Sequence, residues 1–67
     1  MEFKVRKLYA KYYVGVGIDS PISGVLIWGK RIKAIDKIIV DGTEWIKFIK
    51  GKKFVWVKID DLKVYRH

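Results

Sequence analysis

The chain contains no cysteine, which removes disulfides and thiolate metal sites from consideration. Its one histidine, His67, is the last residue, a poor position for a ligand or base. Acidic side chains are few, seven against fifteen Lys and Arg, leaving a formal charge of +8. Long apolar runs are missing too. The longest uncharged apolar stretch, residues 22–29, falls far short of the ~20 residues a membrane-spanning helix requires. The opening Met-Glu-Phe-Lys-Val-Arg-Lys has no apolar segment of the kind a signal peptide carries, so no signal peptide is visible. No stretch shows helical apolar spacing. Catalytic patterns are equally scarce. Gly15-x-Gly17 lacks the third glycine and the following helix of a dinucleotide site, and no Ser or Thr has a base in a recognisable arrangement. Asp60 and Asp61 are adjacent, so on a strand they point to opposite faces; turn formation accounts for them better than acid–base work. Neither an enzyme nor a cofactor is expected.

What is present is aromatic, β-branched and basic. With 67 residues the chain forms a single domain, 1–67. A chain this short removes only about 60% of its unfolded surface from water, so its stability depends on a compact, aromatic-rich core. Hydrophobic residues make up 51%, with three Trp, four Tyr and three Phe, which argues against disorder despite the charge. The positive surplus favours a polyanionic partner such as nucleic acid, anionic lipid or a phosphate-bearing wall polymer; the plainer reading is solubility.

Along the chain, Phe3 and Val5 alternate with Lys4 and Arg6 as a first strand, which the tyrosine-dense residues 8–16 either extend or leave as an irregular arm. Gly15, Gly17, Asp19, Ser20, Pro21, Ser23 and Gly24 mark a loop of about ten residues. Residues 25–28 form a short strand closed by Gly29-Lys30, and residues 31–40 a third strand with a bulge near Asp36. Asp41-Gly42 is a turn signal leading into a hairpin whose tip is Lys50-Gly51-Lys52-Lys53. On its return strand Val55, Val57 and Ile59 face the core, with Phe54, Trp56 and Lys58 outward. Asp60-Asp61-Leu62 makes a tight turn before a last strand, residues 63–65. Short strands separated by frequent turns predict an all-β fold, a small five- to six-stranded barrel with a long loop after the first strand.

The pieces Ser20-Pro21-Ile22-Ser23-Gly24-Val25-Leu26, Trp28-Gly29-Lys30, Asp41-Gly42-Thr43-Glu44-Trp45-Ile46 and Trp56-Val57 running into Asp61-Leu62 stand in an order that resembles the bacterial Src-homology-three domain. Ser23-Gly24-Val25-Leu26 and Asp41-Gly42-x-x-Trp45-Ile46 look most like the cell-wall-binding domains of lysostaphin-type hydrolases and phage endolysins. The chain departs from that pattern in lacking the Asn-Val-Arg-Ser-Gly-Pro opening and in carrying Trp56 where the lysostaphin type has Tyr. The resemblance implies a Src-homology-three-like barrel that binds bacterial peptidoglycan without catalysis. Its partner would be a cross-bridge or stem peptide, with anionic wall polymers as a further attraction. It would act at the cell wall, on the extracellular side, and target a parent hydrolase there.

A glycine- or alanine-rich peptide offers amides but few side chains, so its binder needs an aromatic-lined groove with polar tips. The candidate ligand-binding residues are Tyr9, Tyr12, Tyr13, Asp19, Trp28 and Trp56. The tyrosines line such a groove or serve ordinary strand packing; Trp28 is a core anchor or a groove wall. Trp45 reads as structural, and Trp56 as the exposed aromatic. Two rival readings fit the same residues. One is a basic barrel binding nucleic acid, with aromatics stacking on bases. The other is an oligomerising module that assembles with itself or with a full-length parent enzyme.

Overall fold

The computed structural model describes residues 1–16 and 19–65, so Gly17 and His67 lie outside the described residues. Period-2 alternation with closely spaced turns produces strands throughout, arranged as two antiparallel sheets. The smaller sheet has the order β4-β1-β8, built from β1 (Glu2–Val5), β4 (Arg31–Lys33) and β8 (Leu62–Val64). The larger has the order β3-β2-β7-β6-β5, from β2 (Tyr9–Tyr13), β3 (Ile22–Ile27), β5 (Asp36–Val40), β6 (Thr43–Lys50) and β7 (Lys53–Lys58). One 3-10 turn, Ile59–Asp61, joins β7 to β8, at the turn expected from Asp60-Asp61-Leu62.

The fold is thus all-β, as expected, but with eight short strands among the described residues rather than five or six. The difference has a single physical cause: the chain changes sheets inside two of the expected strands. Ala34 N–H donates to Met1 O (2.9 Å) in the small sheet, and the next residue, Ile35, donates to Lys47 O (2.9 Å) in the large one. The expected third strand is therefore split into β4 and β5, and the irregularity near Asp36 is a sheet-to-sheet corner, not a bulge. Likewise the chain leaves β1 through residues 6–8, so the tyrosine-dense arm becomes the separate strand β2. The long loop, residues 14–21, consequently follows the second strand and not the first. It is closed at its base by Val14 N–H to Pro21 O (3.2 Å) and by Ser20 Oγ to Val16 O (2.9 Å).

Between the sheets lies one apolar core: Phe3 and Val5 of β1, Ala10 and Tyr12 of β2, Leu26, Ile32, Ile46, Phe48, Val55, Val57 and Leu62. Each fully buried aliphatic or aromatic side chain contributes roughly 1.5–3 kcal/mol relative to exposure. The hairpin β6–β7 supplies four of these residues: Ile46 and Phe48, which share one parity of β6, and Val55 and Val57, which face the core as expected. Ile59 packs against the same core, also as expected. At Asp41-Gly42, β5 and β6 are joined by two residues that both have positive φ (51° and 79°), the backbone of a turn whose twist matches the flanking strands. Asp tolerates that region better than most residues and Gly has no Cβ to clash, which is why this dipeptide stands here.

Gly24 has a different reason. It sits opposite Tyr12 in the β2–β3 ladder, and a Cβ there would lie 2.5 Å from Tyr12 Cζ and 3.0 Å from Cε2. The ring cannot retreat easily, because its other side meets Phe48 edge-on with centroids 5.8 Å apart. Gly24→Ala is therefore expected to destabilise the domain by about 1–3 kcal/mol through overpacking. In a Tyr12→Leu background the same substitution should cost distinctly less. Chemical denaturation of the four proteins of that cycle reads the coupling, and equal costs in both backgrounds would refute the contact.

Candidate functional site

Alternation along β2 sorts the three tyrosines. Ala10 and Tyr12 point into the core, while Tyr9, Lys11 and Tyr13 share the outward face. Tyr12, expected among the groove residues, is 9% exposed and packs in the core, so it serves as structure. Tyr9 is among the most exposed of the large hydrophobic side chains described. Together with Tyr13, it lines a cleft of about 350 Å³ whose other walls are Lys7, Lys11, Lys58, Asp60 and Asp61.

The cleft owes its shape to the connector between β1 and β2. Arg6 N–H bonds Asp61 O (3.0 Å), and Arg6 Nε bonds Asp60 O (2.8 Å), clamping the 3-10 turn beside β2. Lys7 Nζ pairs with Asp61 Oδ1 at 2.6 Å. Both members retain solvent contact, 53% for Lys7 and 13% for Asp61, so the pair shapes the cleft more than it stabilises the fold. With that pair satisfied, Lys11, Lys58 and Asp60 remain as the charged groups of the lining. Such a site can offer ammonium groups to a carboxylate, a carboxylate to an amine, and tyrosine hydroxyls to amides.

Beyond Tyr13 the cleft continues into an aromatic band on the same sheet face. Tyr13 is the cross-strand partner of Trp56, and Trp56 is in turn the partner of Lys47. Lys47 Nζ lies 4.6 Å from the Phe54 ring centroid and 5.6 Å from that of Trp56, so its stem covers aromatic surface while its charge stays near water. Trp45 also belongs to this outward face by parity, yet it is only 1% exposed and stands outside the core cluster. Tyr13 covers it edge-on at 5.4 Å, and Lys58 Nζ lies 5.8 Å from its ring centroid. Trp45 is thus structural, as expected, but it is buried from the outer side.

The remaining predicted residues lie elsewhere. Trp28 is 59% exposed in the β3–β4 connection, under the Lys4 ammonium at 5.3 Å, and is neither a core anchor nor a wall of this cleft. Trp56, expected to be the exposed aromatic, is half-buried and yields that position to Tyr9 and Trp28. Asp19 is exposed in the loop, outside the cleft lining. Of the six candidates the structure therefore brings together Tyr9, Tyr13 and Trp56. Lys7, Lys11, Lys47 and Asp60 had not been singled out as binding groups. The signal for Lys11 and Lys47 was present, because each shares strand parity with an aromatic already under consideration, Tyr13 and Trp45. Lys7 and Asp60 come together only through the fold.

Compared with protein-family models, curated proteins and solved structures, the chain finds no significant match in any of the three.

Proposed function

We propose that this chain is a non-catalytic binding domain for bacterial cell-wall peptide, a Src-homology-three-like module that targets a phage endolysin or other peptidoglycan hydrolase to its substrate. The observation that carries the reading is the cleft in which Tyr9 and Tyr13 stand with Lys11, Lys58 and Asp60, continuous with Trp56. Wall peptides are short, flexible and poor in large side chains, and they carry free carboxylates, free amines and many amides. Flat phenol rings supply contact area at low entropic cost, hydroxyls meet the amides, and charges of both signs meet the peptide's ionic groups. The eight-strand arrangement around one core adds support, since two small packed sheets suit the barrel-like body of that family. Held to a polymer in this way, a linked enzyme would work at a raised effective substrate concentration.

The test is a fluorescent fusion of the chain mixed with purified sacculi from species with different cross-bridges. Co-sedimentation is expected with at least one type, and soluble stem or cross-bridge peptide should release it. A folded fusion that stays in the supernatant with every sacculus type ends the proposal.

A further inference from the structure

On the far side of the core, the outward face of the small sheet carries a second feature, made only of charges and their supports. Strand register places Arg31 of β4 opposite Lys4 of β1, and Lys4 opposite Lys63 of β8. Three cations therefore stand in one row across three adjacent strands, which lie about 4.8 Å apart. Lys33 extends the patch from the next outward position of β4, opposite Glu2, an acid that is itself partnered. Like charges directly opposite one another destabilise an antiparallel pair, so this row works against folding in the absence of an anion. The core does not need it: Phe3, Ile32 and Leu62, on the inner face, do the packing.

Two aromatic rings hold the cations in place. Lys4 Nζ lies 5.3 Å over Trp28, and the Arg31 guanidinium lies 4.9 Å over Tyr65 while bonding its hydroxyl at 3.0 Å. Each ring already has a cation of the same patch on one face. The chain, moreover, contains no Asn or Gln, the side chains that with Arg read base edges most directly. The patch presents charges at strand spacing, with only Arg31 to read a base edge and the 59% exposed Trp28 to stack on one.

We infer that this face is a second binding surface, for a flexible, base-free phosphodiester polymer of the polyol-phosphate type. It stands apart from the peptide cleft, and its physiological setting, the wall, rests on the function proposed above. Arg31, Lys4 and Lys63 neutralise successive phosphates of the polymer, which relieves their mutual repulsion. Binding is then driven by counterion release and weakens with salt by a log–log slope of about 0.7 per phosphate engaged.

The informative variant is Lys63→Glu. It turns the Lys4–Lys63 pair into an attractive one, so the melting temperature should rise by a few degrees while affinity for purified polyglycerol phosphate falls about tenfold and the salt slope shrinks. The neutral double variant Lys4→Thr/Lys63→Thr guards against an effect peculiar to glutamate and should weaken the same binding. Sacculi stripped of phosphodiester polymers with hydrofluoric acid should bind Lys63→Glu and the wild type equally. Loss of binding to stripped sacculi by the wild type would overturn the peptide reading while leaving the polymer surface intact. Unchanged polymer affinity in both variants would overturn the polymer surface, as would tighter binding of oligo(dT) than of polyglycerol phosphate at equal phosphate concentration.

Discussion

Replacing Tyr9 by alanine together with Lys11 by glutamate is expected to lower affinity for sacculi at least tenfold while leaving the melting temperature within a degree or two of the wild type. Both side chains point away from the core and are exposed, so their removal opens no cavity. Exposed substitutions of this kind usually change stability by no more than about 0.5 kcal/mol. A tyrosine at the centre of a contact, by contrast, is commonly worth about 2 kcal/mol, roughly thirtyfold in affinity. Reversing Lys11 adds a carboxylate to the lining that already holds Asp60 and removes one of the two cations that no acid in the lining has neutralised. Sedimentation with sacculi alongside thermal denaturation reads both quantities. Retained binding by a folded double variant would move the site away from this cleft. Asp19→Ala, a change outside the lining, supplies the control and should leave binding as it is.

The second large effect is on the fold itself. Trp45→Ala is expected to abolish cooperative unfolding near room temperature. Removing a fully buried tryptophan costs about 3–5 kcal/mol. Total stability for 67 residues, at 0.05–0.15 kcal/mol per residue, amounts to about 3–10 kcal/mol. The loss takes away a large part of the total, and with it the support for Tyr13 and the position of Lys58, both of which contact the indole. Fluorescence provides an independent reading. Trp45 is 1% exposed and Trp28 is 59% exposed, so the blue-shifted part of the emission should belong to Trp45. Trp28→Phe should therefore leave a blue-shifted, native-like spectrum and a nearly unchanged melting temperature. A stable, cooperatively melting Trp45→Ala protein would show that the outer face of the large sheet does not depend on this residue.

Trp45 also shows where sequence reasoning reaches its limit. Its parity with Lys47 and Ile49 correctly places it on the face opposite Ile46 and Phe48. Parity alone leaves open which of the two faces meets the core. The burial comes from Tyr13, thirty-two positions earlier, whose strand is separated from β6 by β7 in the sheet. Trp28 errs the other way, because an apolar run ending at Gly29 suggests a core anchor. The β3–β4 connection instead turns its ring to solvent, against a lysine from β1.

The hairpin of β6 and β7, the inward and outward faces of its return strand and the all-β class were all written in the local order of residues. Alternation and turn-forming glycines act over a few neighbouring positions, so they can be read without knowing what lies across the sheet. Which strands become neighbours was decided by tertiary structure alone. That decision split residues 31–40 between two sheets, sent Tyr12 inward while Tyr9 and Tyr13 met Lys58, and aligned Arg31, Lys4 and Lys63. Contacts of this kind join residues tens of positions apart, and they form because burying one shared core outweighs the entropy of closing the intervening chain. That balance belongs to the whole molecule, and no short window of sequence contains it.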